Sequence, residues 1–138
     1  MNITLEVAMT TKRILVIDDE VHVREVVQTC LEMLGGWDVV SAASGQEGLV
    51  KAEVEQPDAI LLDVMMPEMD GFTFLRQLQS NLMIQNIPVV LLTATAHQLD
   101  PQQLPSLGVR GVIAKPFNVL SLTNEIAKAL GWSGGTQN

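Results

Sequence analysis

Short apolar runs alternate with longer amphipathic segments along this chain, and turn-forming residues separate most of them. Continuous apolar runs of this length are typical of strands that are buried on both faces. The five predicted strands cover residues 12–17, 38–42, 58–62, 89–92 and 109–114. Strands that alternate with helices predict an α/β fold, in which a five-stranded parallel sheet has right-handed crossovers and helices on both faces.

Four segments with apolar residues at spacings of three and four predict helices. The first spans residues 20–34 and ends at Gly35-Gly36, and the second spans about 45–55, with Ser44 as its cap and Glu47 completing a capping box. The third follows Asp70, and the last spans about 119–130. The apolar positions predicted for the third helix are Phe72, Phe74, Leu75, Leu78 and Leu82.

A helix between the fourth and fifth strands is harder to place. Asp100 and Pro101 suit an N-cap and a first helical position. Pro105 then falls where a regular helix needs a backbone N–H, at a cost of about 3 kcal/mol. We therefore expect this helix to be short, distorted or displaced.

Composition and charge narrow the class of protein. The 138 residues suit one domain, which we place at residues 12–131, with an extension at 1–11 and a short tail at 132–138. The net charge of -8 argues against a nucleic-acid partner, because few cations are available for phosphates. A single cysteine, Cys30, excludes an internal disulfide and is interpreted as a core residue. With no signal peptide and no long apolar run, we expect a cytoplasmic protein without membrane contacts.

Chemically active side chains follow four of the five predicted strands. In a parallel sheet of order 2-1-3-4-5, the carboxyl ends of strands one and three are neighbours where the order reverses. Three carboxylates then crowd together: Asp18, Asp19 and Asp63, with Thr93 and Lys115 at the ends of the next two strands. Two like charges about 4 Å apart repel by roughly 4 kcal/mol at an effective dielectric of about 20. A hard divalent cation would relieve this repulsion, and oxygen ligands favour Mg²⁺, with Mn²⁺ as an alternative.

This set of groups suits phosphoryl transfer. An aspartate carboxylate can act as a nucleophile and form an aspartyl phosphate. The reaction then needs positioning and neutralisation of the phosphoryl oxygens, which the metal, Lys115 and the Thr93 hydroxyl could supply. Asp63 is the best candidate nucleophile because it is central among the strand ends.

Four short motifs occur in a fixed order: Asp18-Asp19; Asp63 followed by Met-Met-Pro-Glu-Met-Asp-Gly; Thr93-Ala94; and Lys115-Pro116-Phe117. Asp63 is separated from Thr93 by 30 positions and from Lys115 by 52. Together they resemble the receiver (CheY-like) domain of two-component response regulators, over residues 12 to about 131. The resemblance implies a flavodoxin-like, three-layer sandwich.

The resemblance also implies roles for these residues. Asp63 would accept a phosphoryl group from a phosphohistidine on a sensor histidine kinase or a histidine phosphotransfer protein. Asp19, Asp63 and the backbone carbonyl of Met65 would bind Mg²⁺, and Asp18 would bind it through water. Thr93 and Lys115 would bind the phosphoryl group, and the Lys115–Pro116 peptide bond would be cis, a form with a small cost only before proline.

The sequence departs from the family pattern at the predicted switch. Many receivers have an aromatic residue three positions before the lysine; here that residue is Val112, and the chain has no tyrosine. In the family, the positions of Met65 and Thr95 tune hydrolysis of the aspartyl phosphate. An apolar Met65 offers no hydrogen bond to an attacking water, so we expect a long-lived phosphoryl state.

We therefore expect a single-domain response regulator that is not an enzyme in its own right but assists its own phosphorylation and dephosphorylation. Its output would be contact with an unknown downstream protein or onward phosphotransfer. Two alternatives remain open. A magnesium-dependent phosphatase of haloacid-dehalogenase type would need an acid two residues after Asp63, where this chain has Met65. A nucleotide- or flavin-binding fold is the other alternative, and a dinucleotide would need a glycine-rich loop after the first strand, which this chain lacks.

Overall fold

The protein forms a five-stranded parallel sheet in a computed structural model that describes residues 11–67 and 69–132. The strand order is β2-β1-β3-β4-β5, which confirms the predicted topology. The strands are β1 Arg13–Ile17, β2 Asp38–Ala42, β3 Ala59–Leu62, β4 Val89–Thr93 and β5 Val109–Ala114. Each of the four strand pairs is parallel, with a register shift between Val89 and Val90 where β4 meets β5.

Within the described residues, three α-helices connect strands and a fourth follows β5: α1 Val21–Gly35, α2 Gly45–Glu55, α3 Gly71–Gln79 and α4 Val119–Leu130. The predicted cap of α2 is present, because Ser44 Oγ accepts a hydrogen bond from the Glu47 N–H at 3.1 Å. The Glu47 carboxylate reaches one residue further back than a capping box requires and accepts from the Ala43 N–H at 2.8 Å. Asp70 caps α3 by accepting from the Thr73 N–H at 2.8 Å.

The sheet separates two apolar layers, as a period of two along each strand requires. One face packs against α2 and α3, with Phe74, Leu75 and Leu78 fully buried. The other face packs against α1 and α4, and Cys30 is buried there as predicted. The strand residues on the first face include Leu15, Ile17, Ile60, Leu62 and Leu91; those on the second include Ile14, Val16, Leu61, Val90 and Leu92. The result is the predicted three-layer sandwich.

The connection from β4 to β5 contains 3₁₀ turns at Ala96–Gln98 and Pro105–Leu107 in place of the helix expected there. Asp100 makes a local turn by accepting from the Gln102 N–H at 3.0 Å, but no α-helix follows. Pro105 has no N–H to donate to the carbonyl four residues back, so a regular helix cannot pass through it. The segment is distorted, as expected, and it contains only 3₁₀ turns where a short or distorted α-helix was predicted.

The predicted third helix is shorter than its apolar pattern suggested. α3 ends at Gln79, and Leu82 lies beyond it with 83% of its surface exposed, so its assignment to the buried face was wrong. Asn81 starts a turn in which its side chain accepts from the Met83 N–H at 2.9 Å. Ile84, at the end of that turn, is buried in the same core cluster as Phe74 and Leu78.

The ends of the chain fall almost wholly outside the described residues. Of the predicted extension 1–11 only Thr11 is described, and of the predicted tail 132–138 only Trp132 is described. Trp132 folds back on the domain, with its ring 5.0 Å from that of Trp37 in an edge-to-face arrangement. Within the described part of the chain, every helix is too short or too polar to span a bilayer.

Candidate functional site

The register of the sheet brings the predicted strand-end residues to one edge. Ile17 pairs with Leu62, so Asp18 and Asp63 leave neighbouring strands at the same level. Thr93 pairs with Ala114, which places Lys115 directly beyond that pair. The Lys115 N–H donates to the Thr93 carbonyl at 2.9 Å, and the Lys115–Pro116 peptide bond is cis, as expected.

Asp18 is held by hydrogen bonds to its backbone and to both carboxylate oxygens. One oxygen accepts from the Glu20 N–H at 2.9 Å, and the other accepts from Lys115 Nζ at 2.9 Å. Its own N–H donates to the Ala42 carbonyl at 3.2 Å. The side chain is only 2% exposed, so this carboxylate is a buried anion, and its partner Lys115 is a partly buried cation with 15% of its side chain exposed.

Asp63 starts the loop from β3 to α3 and is also buried, with 5% of its side chain exposed. One carboxylate oxygen accepts from the Met65 N–H at 3.1 Å, and the other lies 3.5 Å from Lys115 Nζ. Gly71 closes the loop: its N–H donates to the Val64 carbonyl at 2.9 Å, and a Cβ there would lie 2.8 Å from the Val64 Cα. Only glycine allows this close approach, so Gly71 fixes the path of the chain after Asp63.

Burial and charge shift the pKa values of this pair. Burial is the main cause that raises the pKa of Asp63, and the negative charge of Asp18 adds to it, while the Met65 N–H and Lys115 oppose it. For Lys115, burial alone would lower the pKa, but the hydrogen bond to Asp18 and the charges of Asp18, Asp63 and Glu20 together raise it. Lys115 therefore remains a cation in the site, while Asp63 is harder to ionise than an aspartate in water.

Thr93 is fully buried at the end of β4, and its hydroxyl is bonded within its own loop. The Thr93 hydroxyl lies 3.1 Å from the Thr95 hydroxyl and accepts from the Thr95 N–H at 3.2 Å. Ala94, the next residue, is the one from this strand end that lines the pocket around Asp63. In this conformation Thr93 is therefore engaged with Thr95.

The pocket is a depression of about 260 Å³ lined by Asp19, Glu20, Asp63, Met65, Ala94 and Lys115. Asp18, Asp19 and Asp63 each present a carboxylate oxygen, and these three atoms lie within 4.8 Å of one another. Three oxygen donors with open space beside them fit a hard divalent cation such as Mg²⁺. Asp19 is the exposed member of the three, so the cluster is accessible from solvent.

The sequence assigned no role to two pocket residues: Glu20, and Ala94, which it named only as the neighbour of Thr93 in a motif. Glu20 lies 3.7 Å from Lys115 Nζ and lines the pocket, and the only sequence signal for it was its position after Asp18 and Asp19. Ala94 lines the pocket through its position in the loop, and an alanine gives no chemical signal. Val112, at the predicted switch position, is partly buried and packs against the α2 and α3 face of the sheet.

A family model of the response regulator receiver domain matches residues 14–127. The chemotaxis protein CheY4 of Vibrio cholerae superposes with a TM-score of 0.79 at 30% identity, covering 87% of this chain and 99% of that one. The receiver domain of the sensor histidine kinase PA1611 from Pseudomonas aeruginosa PAO1, described with a magnesium ion coordinated in its active site cleft, superposes with a TM-score of 0.76 at 29% identity. That match covers 88% of this chain and 99% of the other.

Curated relatives are longer proteins. The DNA-binding dual master transcriptional regulator RpaA of Synechocystis sp. is 40% identical over 107 residues, which is 78% of this chain and 44% of that protein. This chain spans about half the length of the curated relatives that it matches, several of them named as transcriptional regulators. The expectation that the protein has no nucleic-acid partner is therefore not supported. It was based on the net charge of this chain, whereas the longer relatives include a protein named as DNA-binding.

The match to the family model covers most of the chain, and the fold, strand order and acidic cluster agree with it. Receiver domains obtain phosphate from histidine kinases and bind Mg²⁺ at an acidic pocket, as the magnesium in the PA1611 structure illustrates. The chain belongs to the response regulator receiver domain family, the signalling domains of two-component systems.

Proposed function

We propose that this chain is a phosphorylation switch in which Asp63 accepts a phosphoryl group from a phosphohistidine of a sensor histidine kinase or a histidine phosphotransfer protein. The observation that carries this proposal is the buried Asp63 carboxylate, 3.5 Å from the Lys115 ammonium, at the floor of an open acidic pocket. A buried carboxylate with a cation beside it and an opening to solvent suits in-line attack on an incoming phosphorus.

In the proposed reaction a carboxylate oxygen of Asp63 forms a bond to phosphorus as the phosphorus–nitrogen bond of the phosphohistidine breaks. The electron pair of that bond stays on the imidazole, which takes a proton from solvent water and leaves as neutral histidine. Lys115 would pair with an oxygen of the transferred group. Thr93 would bind a second oxygen, for which its hydroxyl must exchange its contact with Thr95.

The proposed metal ligands are Asp19, Asp63 and the backbone carbonyl of Met65, with Asp18 acting through a water molecule. Bound Mg²⁺ would neutralise charge on the phosphoryl oxygens. The rest of the chemistry belongs to the chain: Asp63 supplies the nucleophile and Lys115 a fixed positive charge. We propose in the same way that the domain assists its own phosphorylation and dephosphorylation.

The new charge would change which partner the domain binds. A phosphoryl group adds roughly -1.5 to -2 charges, which biases an equilibrium between two conformations. We propose that a downstream protein reads this change, or that the phosphoryl group passes onward, in a cytoplasmic pathway. Val23, Val26, Pro116 and Phe117, all at least partly exposed, are our candidates for the surface that docks the phosphodonor.

Incubation with acetyl phosphate and Mg²⁺ tests the function. We expect intact mass spectrometry to show one added phosphoryl group on the wild-type chain, none on Asp63→Asn, and none when EDTA replaces Mg²⁺. Asp58→Asn, which changes an exposed carboxylate one strand length from Asp63, is the matched control and should be phosphorylated normally. A phosphorylated Asp63→Asn chain would refute Asp63 as the acceptor, and repeated turnover of phosphate esters would favour the phosphatase.

Met65 gives a second test through the lifetime of the phosphoryl group. Its side chain is 59% exposed and lines the pocket, but it cannot orient a water molecule. We expect Met65→Asn to hydrolyse its aspartyl phosphate at least about threefold faster, a small part of the range that proton-transfer groups can supply. Met65→Leu is the control and should keep the wild-type rate. Equal rates for all three proteins would contradict control by this side chain.

A further inference from the structure

Arg24, which the sequence motifs do not include, contacts the turn that carries two of the three clustered carboxylates. It lies in the first turns of α1, and its Nη1 donates to the backbone carbonyl of Asp18 at 2.7 Å. The strand pairing of β1 ends at Ile17, so this carbonyl lies just beyond the sheet. A charged donor at this distance makes one of the stronger hydrogen bonds available to a peptide carbonyl.

That carbonyl belongs to the peptide plane that joins Asp18 to Asp19. Because a peptide unit is rigid, holding its oxygen also holds its nitrogen and the following Cα, and so limits where the Asp19 side chain can point. Within residues 11–67 and 69–132, the Asp19 carboxylate makes no hydrogen bond or ion pair of its own. Its position near Asp18 and Asp63 therefore depends on the backbone that Arg24 contacts.

Asp18 and Asp63 differ from Asp19 in this respect. Their carboxylates are buried and receive hydrogen bonds from backbone N–H groups, and both lie near Lys115. Asp19 is exposed, so solvent competes for it and its side chain is free to turn outward. Of the three acidic residues, Asp19 is the one whose position most needs support from elsewhere.

We propose that Arg24 is a positioning residue for the divalent metal: its guanidinium fixes the Asp18–Asp19 peptide so that the free Asp19 carboxylate faces the ion. This role rests on the Mg²⁺ site proposed above. It assigns Arg24 no contact with the phosphoryl group or with the metal.

The direction in which Mg²⁺ affinity changes when Arg24 is removed separates this positioning role from a simple charge effect. The pocket region holds four carboxylates, of Asp18, Asp19, Glu20 and Asp63, against the two cations of Lys115 and Arg24. If Arg24 acted only as a charge, removing it would make the pocket more negative and would tighten Mg²⁺ binding. If Arg24 holds the peptide, removing it weakens binding in spite of the more negative charge.

The experiment measures the Mg²⁺ dissociation constant by isothermal titration calorimetry for the wild type, Arg24→Ala, Arg24→Lys and Arg110→Ala. Arg110 is exposed on β5, and its removal changes the net charge by the same amount as removal of Arg24. We expect the constant to rise about tenfold in Arg24→Ala, the lower end of the effect of residues that support metal ligands. Arg24→Lys, which keeps the charge and one donor, should fall between Arg24→Ala and the wild type, and Arg110→Ala should match the wild type.

A double-mutant cycle with Asp19→Asn tests the route of the effect. If Arg24 acts through Asp19, Arg24→Ala should weaken Mg²⁺ binding much less in the Asp19→Asn background than in the wild type. Phosphorylation by acetyl phosphate provides an independent readout. The Mg²⁺ concentration for half-maximal rate should rise in Arg24→Ala, while the rate at saturating Mg²⁺ stays close to that of the wild type. Thermal unfolding in EDTA checks that each variant is folded. If Arg24→Ala is unfolded, the Mg²⁺ affinity of Arg24→Lys alone tests the proposal.

Unchanged or tighter Mg²⁺ binding in a folded Arg24→Ala, or an undiminished effect of Arg24→Ala in the Asp19→Asn background, would overturn the role of Arg24. Neither result would affect the proposed phosphorylation of Asp63. Failure of the wild-type chain to bind Mg²⁺ at all would instead overturn the metal site itself. The wild-type titration thus tests the proposed function, and the variants test the role of Arg24.

Discussion

The two ends of β1 each carry acidic side chains around one cation, but in different surroundings. At the start of the strand, Arg13 pairs with Asp38 at 2.7 Å and with Glu55 at 3.2 Å, and all three side chains are between 34% and 48% exposed. At its end, Lys115 pairs with Asp18 at 2.9 Å, and these side chains are 15% and 2% exposed. The ion-pair distances are similar at the two ends of β1, but the side chains at its start are far more exposed to solvent than those at its end.

Exposure decides what each cluster can do. Water and salt screen the charges around Arg13, so such pairs contribute about 0–1 kcal/mol and change little when they are altered. Around Lys115, burial makes each charge depend on its partners, and loss of one partner leaves an uncompensated ion. The proposed binding site for a cation and a phosphoryl group therefore lies at the buried end of the strand, where charges depend on their partners.

Removing the cation at each end should give the largest contrast. In buffer without divalent ions, we expect Lys115→Met to lower the free energy of unfolding by about 2 kcal/mol, somewhat below the cost of breaking a fully buried pair. Arg13→Met should lower it by less than about 1 kcal/mol. Urea denaturation at neutral pH measures both. Similar losses for the two variants would show that burial does not separate the two ends.

Removing one acidic charge at each end should change stability in different ways. Asp63 has a raised pKa because it is buried and lies near Asp18, so its ionised form opposes folding at neutral pH. We expect Asp63→Asn to raise the free energy of unfolding by about 1 kcal/mol in EDTA, because it removes a buried charge that repels Asp18 while Lys115 keeps Asp18 as its partner. At the exposed end, the Asp58 carboxylate accepts from the Arg13 N–H at 2.8 Å, and Asp58→Asn, which keeps an accepting oxygen, should leave the free energy of unfolding within about 0.5 kcal/mol of the wild type. If Asp63→Asn were less stable than the wild type, the buried charge of Asp63 could not be destabilising the folded protein.

The smallest expected effect concerns Asp70, an exposed carboxylate whose pKa is lowered, whereas that of Asp63 is raised. The hydrogen bond from the Thr73 N–H is the main cause that lowers the pKa of Asp70 at the start of α3. A lowered pKa in the folded state contributes stability above the unfolded pKa of about 3.9, and this stability is lost as the pH falls through the folded pKa. We expect Asp70→Asn, which keeps a capping oxygen, to be about 0.5 kcal/mol less stable at pH 6, because it lacks the charge near the helix N-terminus.

That difference should disappear in acid. Thermal unfolding of wild type and Asp70→Asn at pH 6 and at a pH below the folded pKa of Asp70 measures it. Gln46→Glu is a useful comparison, since it adds a charge to the first turn of α2 and should gain stability at pH 6. A gap between wild type and Asp70→Asn that stays constant with pH would mean that the cap, and not its charge, differs between them.

The linear pattern of this chain determined most of the fold. Five apolar runs flanked by helical periodicity predicted the parallel sheet and both apolar layers, because each run can bury its faces only against neighbouring strands and helices. The strand order came from the resemblance to receiver domains. Ser44 and Asp70 were predicted correctly as caps, because a cap acts within one turn of its own helix. The clustering of Asp18, Asp19, Asp63 and Lys115 followed from the strand order alone.

Tertiary structure decided what depends on residues distant in sequence. Leu82 continues the period of α3 but lies outside the core, since the turn at Asn81 ends the helix, and Ile84 is the residue of that turn that is buried in the core. Thr93 is placed at the correct edge by its strand, but its hydroxyl is bonded to Thr95, and no spacing rule predicts that choice.

The contacts of Arg24 and Glu20 with the acidic pocket depend on how α1 leaves β1 and where β5 places Lys115. Sequence periodicity places a residue on an element and on one of its faces. The partner of each polar side chain is set by the packing of separate elements, which a local pattern cannot encode.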